Sequence, residues 1–153
     1  MRNTATAPRA ADMLDQDHLE ALIDLHTRSI DTLRGFETMV EKAVPAFRTI
    51  AEKFRALHAR HVTRLATMVR EMGGRPDSDG SFMGTVNRTV VTLRATFDTI
   101  DHQVIHQIHS GEAHVLAAFD RALGTRLPQR QIDALSWMRV ELAGLLERYP
   151  KHN

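Results

Sequence analysis

Apolar residues recur every three or four positions along most of the chain, and few glycines or prolines interrupt them. This spacing is typical of amphipathic α-helices rather than of strands, which alternate every second residue. It predicts four long helices, which cover residues 15–44, 45–72, 101–123 and 128–149. The chain is therefore predicted to be all-α.

Prolines and glycines set the expected helix ends. Pro45 fits the first turn of the second helix, where its missing N–H costs no hydrogen bond. Gly73 and Gly74 suit a left-handed cap after that helix. A loop is expected over 75–80, and a shorter amphipathic helix over 81–97 lies within the connection to the third long helix.

The length of this connection predicts how the helices are arranged. A short loop would make the second and third helices antiparallel neighbours, whereas a long crossover allows them to run in the same direction. The pattern therefore predicts a four-helix bundle with up-down-down-up directions and one long crossover containing an extra short helix. A single domain is expected over 13–150, preceded by a disordered tail over 1–12.

Composition narrows the classes of function. The 153 residues carry 20 Lys and Arg against 19 Asp and Glu, so the strongly basic field of a nucleic-acid-binding protein is missing. There is no cysteine, so any metal would need His, Asp or Glu ligands, and nine histidines are present. No targeting segment or membrane span is expected, and we predict a cytoplasmic protein.

Several polar residues fall within the apolar stripes when each helix is projected at 100° per residue. His58 and His61 lie on the inner face of the second helix, and Glu112 lies near the middle of the apolar arc of the third. His26 lies within the arc of the first helix, and Arg139 lies near the border of the fourth. A buried carboxylate needs a partner, because an isolated buried charge is very unfavourable.

Two interpretations of this inward set remain open. In the first, Glu112, His58 and His61, with His26 as a further ligand, bind one divalent metal ion, since nitrogen and oxygen ligands suit zinc or iron. In the second, histidine and the guanidinium of Arg139 hold Glu112 in a buried hydrogen-bonded network without a metal.

Short motifs add a resemblance over most of the chain. The segment 57–61 (Leu-His-Ala-Arg-His) and the segment 111–114 (Gly-Glu-Ala-His) resemble the second and third helices of the ferritin-like superfamily. The run 72–76 (Met-Gly-Gly-Arg-Pro), with Gly80-Ser81, more closely resembles a bacterial ferritin-like branch whose members are mostly of unknown function. The resemblance implies a ferritin-like bundle.

Carried over position by position, the ferritin-like ligand set is incomplete. Di-iron members use a Glu on each of two helices and Glu-x-x-His on each of the other two. Glu112 and His61 match that pattern, whereas other residues stand at the remaining ligand positions: Ser29, His58, Leu142 and Leu145. One carboxylate is too few to hold two dications, so at most one Zn or Fe ion is implied, and no metal is an equal expectation.

The sequence therefore favours a ferritin-like bundle with a reduced His/Glu metal site, acting in metal binding or a stress response. The alternative from another class is a metal-free scaffold or interaction protein. A homodimer is expected through the fourth helix, where Trp137 and Val140 project away from the apolar stripe, or through the crossover helix. A metal-dependent oxidoreductase is the least favoured alternative, and no catalytic residue is assigned.

Overall fold

The structure, a computed structural model, describes residues 10–76 and 101–151, with side chains from Asp17 onward. These residues form four α-helices and one 3₁₀ turn at His102–Val104, and they contain no β-strand. The helices are α1 (Ala10–Lys42), α2 (Pro45–Glu71), α3 (Ile105–Leu123) and α4 (Gln129–Arg148). The predicted all-α class is confirmed.

The predicted boundaries agree with the structure to within a few residues for α2, α3 and α4. The largest difference is at α1, which begins at Ala10 rather than at residue 15. The predicted short helix over 81–97 lies outside the described residues, as does most of the predicted tail. No helix in the described ranges is long and apolar enough to cross a membrane.

The corner between α1 and α2 is tight. Val44 is extended, with φ −61° and ψ 150°, and Pro45 begins α2 as predicted. The Arg48 side chain donates to the carbonyl oxygens of Val40 and Ala43, each at 3.1 Å. These bonds satisfy backbone acceptors that the end of α1 leaves without helical partners. The short connection places α2 antiparallel against α1.

The glycine pair ends α2 as the sequence predicts. Gly73 has φ +83°, which an L side chain rarely adopts, and the Gly74 N–H donates to the carbonyl of Val69 at 2.9 Å. A Cβ on Gly74 would lie 2.6 Å from Cδ1 of Leu19 on α1. Gly73 is therefore favoured by its backbone conformation, whereas a side chain at Gly74 would displace the end of the Leu19 side chain.

Contacts with α4 fix the direction of α2. Glu71, at the end of α2, pairs with Arg130 at the start of α4, where Oε2 and the guanidinium are 3.2 Å apart. Near the start of α2, the Lys53 ammonium donates to the hydroxyl of Tyr149, which directly follows α4, at 3.1 Å. The two helices are therefore antiparallel.

Contacts with α4 fix the direction of α3 in the same way. Asp120 late in α3 meets Arg139 in the middle of α4, and His109 early in α3 is hydrogen-bonded to the carbonyl of Tyr149 at 2.6 Å. Helices α2 and α3 are thus both antiparallel to α4 and run in the same direction. Since α1 and α4 each pack against both α2 and α3, those two helices lie across a diagonal of the bundle.

An aromatic stack occupies the centre of the core. The rings of Phe36 and Phe54 are nearly parallel, with centroids 5.0 Å apart, and Phe36 also stacks on His58 at 5.7 Å. Large apolar side chains from all four helices complete the core: Leu22, Leu25, Phe47, Leu65, Phe119, Leu135, Met138 and Leu142.

Replacing Phe54 with alanine is expected to lower the free energy of unfolding by about 3–5 kcal/mol, because the fully buried ring leaves a cavity beside Phe36. Chemical denaturation followed by circular dichroism measures the change. Thr49→Ala, on the exposed face of the same helix, is the matched control and should stay within about 0.5 kcal/mol of the wild type. Equal losses in the two variants would contradict this description of the core.

Candidate functional site

Three of the inward polar residues meet at the centre of the bundle. His58 is 0% exposed, Glu112 is 1% exposed and His61 is 2% exposed. Nε2 of His58 and Oε1 of Glu112 are 2.7 Å apart, a short hydrogen bond across the diagonal between α2 and α3. The histidine partner predicted for Glu112 is therefore His58.

The helix geometry explains why both histidines point inward. His58 and His61 are three residues apart on α2 and so share one face of that helix. Their ring centroids are 6.3 Å apart in an edge-to-face arrangement. Phe36 of α1 covers His58, and Phe119 of α3 meets the ring of His61 at 6.0 Å. Aromatic rings from two helices thus hold the imidazoles in place.

Several buried polar atoms of His58, His61 and Glu112 form no hydrogen bond with any described residue. Nδ1 of His58, both ring nitrogens of His61 and Oε2 of Glu112 are buried without a hydrogen-bond partner among the described residues. Buried polar atoms are usually paired with protein, with ordered water or with an ion. The four atoms on three neighbouring side chains are therefore candidates for pairing with water or an ion, although Nε2 of His61 already lies 3.5 Å from a carboxylate oxygen of Glu141.

Glu141 of α4 is a fourth member that the sequence analysis did not single out. Its Oε1 lies 3.5 Å from Nε2 of His61, and its Oε2 lies 3.4 Å from the guanidinium of Arg60. The side chain is 27% exposed, so it connects the buried histidine with the surface. Leu142 and Leu145, which stand at ligand positions of the ferritin-like pattern, are buried and apolar. Glu141 could have been identified from the sequence by its position three residues after Met138, at the edge of the apolar stripe of α4.

His61 is a neutral imidazole in the folded protein at pH 7. Its pKa is lowered from 6.5 to about 4, chiefly by burial and to a smaller extent by the neighbouring His58. The carboxylate of Glu141 acts in the opposite direction without cancelling these two effects. A neutral imidazole keeps a nitrogen lone pair, which is the form that binds metal ions.

Arg139 is not the charge partner of Glu112, and that part of the predicted network is wrong. Its guanidinium donates two hydrogen bonds to the carboxylate of Asp120, at 2.7 and 3.1 Å, on the surface between α3 and α4. The long arginine side chain reaches solvent from the border of the apolar stripe, where a charge costs little. Glu112 is therefore paired with histidine and not with arginine.

His26 and Ser29 of α1 are buried, as their positions in the apolar arc predict. A ligand role for His26 stays a prediction. Within residues 10–76 and 101–151, no group of three or more His, Asp or Glu side chains is arranged to hold a metal ion. The reason is visible in the geometry, since Nε2 of His58 faces Glu112 whereas Nε2 of His61 faces Glu141.

Comparison with models of known protein families identifies a match over most of the chain. Residues 17–125 match a family described as a domain of unknown function, DUF2383. The match covers most of α1, all of α2 and α3, and stops before α4. The chain matches none of the curated proteins and none of the solved structures with which it was compared.

The depressed pKa of His61 predicts a pH-dependent stability in metal-free protein. Between pH 6.5 and about 4 the unfolded chain binds a proton that folded His61 does not, so the stability present above pH 6.5 falls as the pH falls. The loss should approach about 3 kcal/mol and level off below pH 4. His61→Gln should lack this loss. Denaturant unfolding in the presence of chelator, measured from pH 7.5 to 3.5, provides the test.

Asp31 contributes a pH dependence of the opposite sign. Burial raises its pKa from 3.8 to about 6, so stability from this group falls as the pH rises through that range. The effect is the same in wild type and His61→Gln, and it cancels in the difference between them. Identical pH profiles for the two proteins would show that His61 titrates normally.

Proposed function

The chain belongs to the DUF2383 family, and we propose that it is a ferritin-like helical-bundle protein that binds one divalent transition-metal ion in its core. The proposed ligands are His58, His61 and Glu112, with His26 as a fourth. The proposed role is metal binding or metal handling under stress. Action in the cytoplasm is part of the same proposal.

The directions of the helices support the ferritin-like part of the proposal. Helices α2 and α3 run in the same direction on a diagonal, and the connection between them is long. Up-down-down-up directions with one long crossover are typical of ferritin-like bundles. The resemblance of segments 57–61 and 111–114 to ferritin-like helices is independent of these directions.

The observation that carries the metal proposal is the set of unpaired buried atoms on His58, His61 and Glu112. Two imidazoles and one carboxylate form a nitrogen and oxygen donor set that suits zinc or iron. The low pKa of His61 keeps one imidazole ready to bind without first losing a proton. A bound ion would supply positive charge beside Glu112 and act as a Lewis acid.

The protein's own residues have three tasks in this site. Glu112 provides the negative charge, Phe36 and Phe119 exclude water from the imidazoles, and Glu141 holds a second carboxylate beside His61. Because the two histidines face different carboxylates, binding would require their donors to turn toward one point. We therefore expect a moderate affinity and not that of a preformed site.

Untagged protein is expected to take up about one zinc or iron ion per chain after incubation and desalting, measured by elemental analysis. His58→Ala, His61→Ala and Glu112→Ala should each lose this ion. His114→Ala is the matched control, since His114 is an exposed histidine on the same helix as Glu112, and it should retain the ion. Circular dichroism establishes that each variant is folded. A wild type without metal, or equal loss in the control, would refute the proposal.

A second candidate is a metal-free interaction protein in which the same residues serve packing. The direct 2.7 Å bond between His58 and Glu112 favours it, because the pair is already joined without an ion. In this case the buried pair fixes the axial position of α2 relative to α3, and the residues that carry the function lie on the surface. A homodimer is one interaction that this candidate would involve. It is equally compatible with the metal-binding proposal.

The second candidate predicts how the pair responds to replacement. Single His58→Leu and Glu112→Leu variants should each lose about 3–5 kcal/mol of unfolding free energy, because each leaves a buried polar partner unpaired. The double variant should recover to near the wild-type value, since it removes both groups together. Stoichiometric zinc should leave the melting temperature of the wild type unchanged. A clear rise in that temperature with zinc would contradict this candidate.

A further inference from the structure

One face of α4 carries an unusual exposed stripe. Asp133, Trp137, Val140, Gly144 and Arg148 follow one another at spacings of four, three, four and four residues, which places them on a single face of the helix. Trp137 is 62% exposed and Val140 is 58% exposed. They are the exposed large hydrophobic residues of the described chain, and they lie one turn apart.

Gly144 continues this stripe as an open position. A Cβ at Gly144 would meet no described atom within 4 Å, and its φ does not demand glycine. A glycine in the interior of a helix is destabilising relative to alanine. The described fold gives no reason for this cost, whereas the close approach of another chain would give one.

A groove extends from Gly144 toward α2. It has a volume of about 520 Å³ and lies between α2 and α4. Its lining combines apolar side chains, among them Ala56, Leu57 and Leu145, with charged ones: Lys53, Arg60, Glu141 and Arg148. A cleft of this volume with an apolar part can receive one aromatic side chain.

We propose that this stripe binds the same stripe of a second copy of the chain, with the two α4 helices antiparallel about a two-fold axis between Val140 and Glu141. Such an axis places each residue opposite the residue equally far on its other side. Trp137 then faces Gly144 of the second copy and enters its groove. The same axis sets Asp133 opposite Arg148 of the second copy.

The self-complementarity of the stripe is what identifies a second copy as the occupant. One two-fold axis places the exposed Trp137 opposite Gly144 of the second copy. The same axis also places the acidic Asp133 opposite the basic Arg148 of the second copy. Both coincidences follow from the order of residues along α4, in which Trp137 and Gly144 lie equally far from the axis. An unrelated partner would not require either match. Buried tryptophans at the centre of an interface are common hot spots.

Sedimentation velocity of the full chain over a range of concentrations tests the proposal. Wild type is expected to dimerise, and Trp137→Ser should weaken dimerisation at least about 30-fold. Gly144→Leu should weaken it similarly by filling the groove that receives the tryptophan, while the monomer stays folded. Gly111→Leu is the matched control, because Gly111 is an exposed glycine in α3 with equally open space, and it should dimerise as the wild type does.

Charge reversal tests the register of the two helices. Asp133→Arg sets like charges opposite Arg148 of the second copy, and Arg148→Asp does the same to Asp133, so each should weaken the dimer. The double variant Asp133→Arg with Arg148→Asp restores opposite charges and should recover most of the affinity. A double variant weaker than both single variants would overturn the antiparallel register.

Because the protein has a single tryptophan, its fluorescence reports whether Trp137 becomes buried when two chains associate. Its fluorescence should move to shorter wavelength as the protein concentration rises and the dimer forms. A monomer at all concentrations, with the tryptophan either solvent-exposed or already shielded by its own chain, would overturn the proposal. The measurements are made with and without chelator, and dimerisation in both keeps this result separate from that of the metal-binding experiment.

Discussion

The hydrogen bond between His58 and Glu112 is the constraint around which the bundle is arranged. Both side chains are almost completely buried, so each depends on the other to satisfy part of its hydrogen-bonding capacity. Because the pair joins helices on opposite corners, it fixes the axial position of α2 relative to α3. Apolar packing around it, including the stack of Phe36 on His58, is less directional than a hydrogen bond, so the 2.7 Å bond adds a constraint on direction.

Much of the fold could be predicted because the decisive signals are local. The 3.6-residue period, Pro45 at the start of α2 and the Gly73-Gly74 pair at its end each act within one helix or one turn. The inward direction of His58, His61 and Glu112 follows from the same period. These features need no knowledge of how one helix lies against another.

The partners of the inward residues could be predicted only in part, because they depend on the register between helices. Arg139 lies at the border of the α4 stripe, and its guanidinium binds Asp120. Whether it could reach Glu112 instead depends on the axial position of α4 relative to α3. The hydrophobic pattern of each helix does not determine this axial position. Glu141 was missed for a related reason, since a half-buried position at the edge of a stripe points toward the core only once α4 is set against α2.

Helix α4 connects the two proposals, although it lies beyond the segment that matches the family. Glu141 faces His61 on one side and Arg60 on the other, and it is next to Val140 on the exposed stripe. In the proposed dimer, Glu141 would lie beside the two-fold axis and would become less exposed to water. A carboxylate in that position would depend more strongly on His61 and Arg60 for its stabilisation. Association of two chains would thereby cover Glu141, the partly exposed carboxylate that contacts the buried His61.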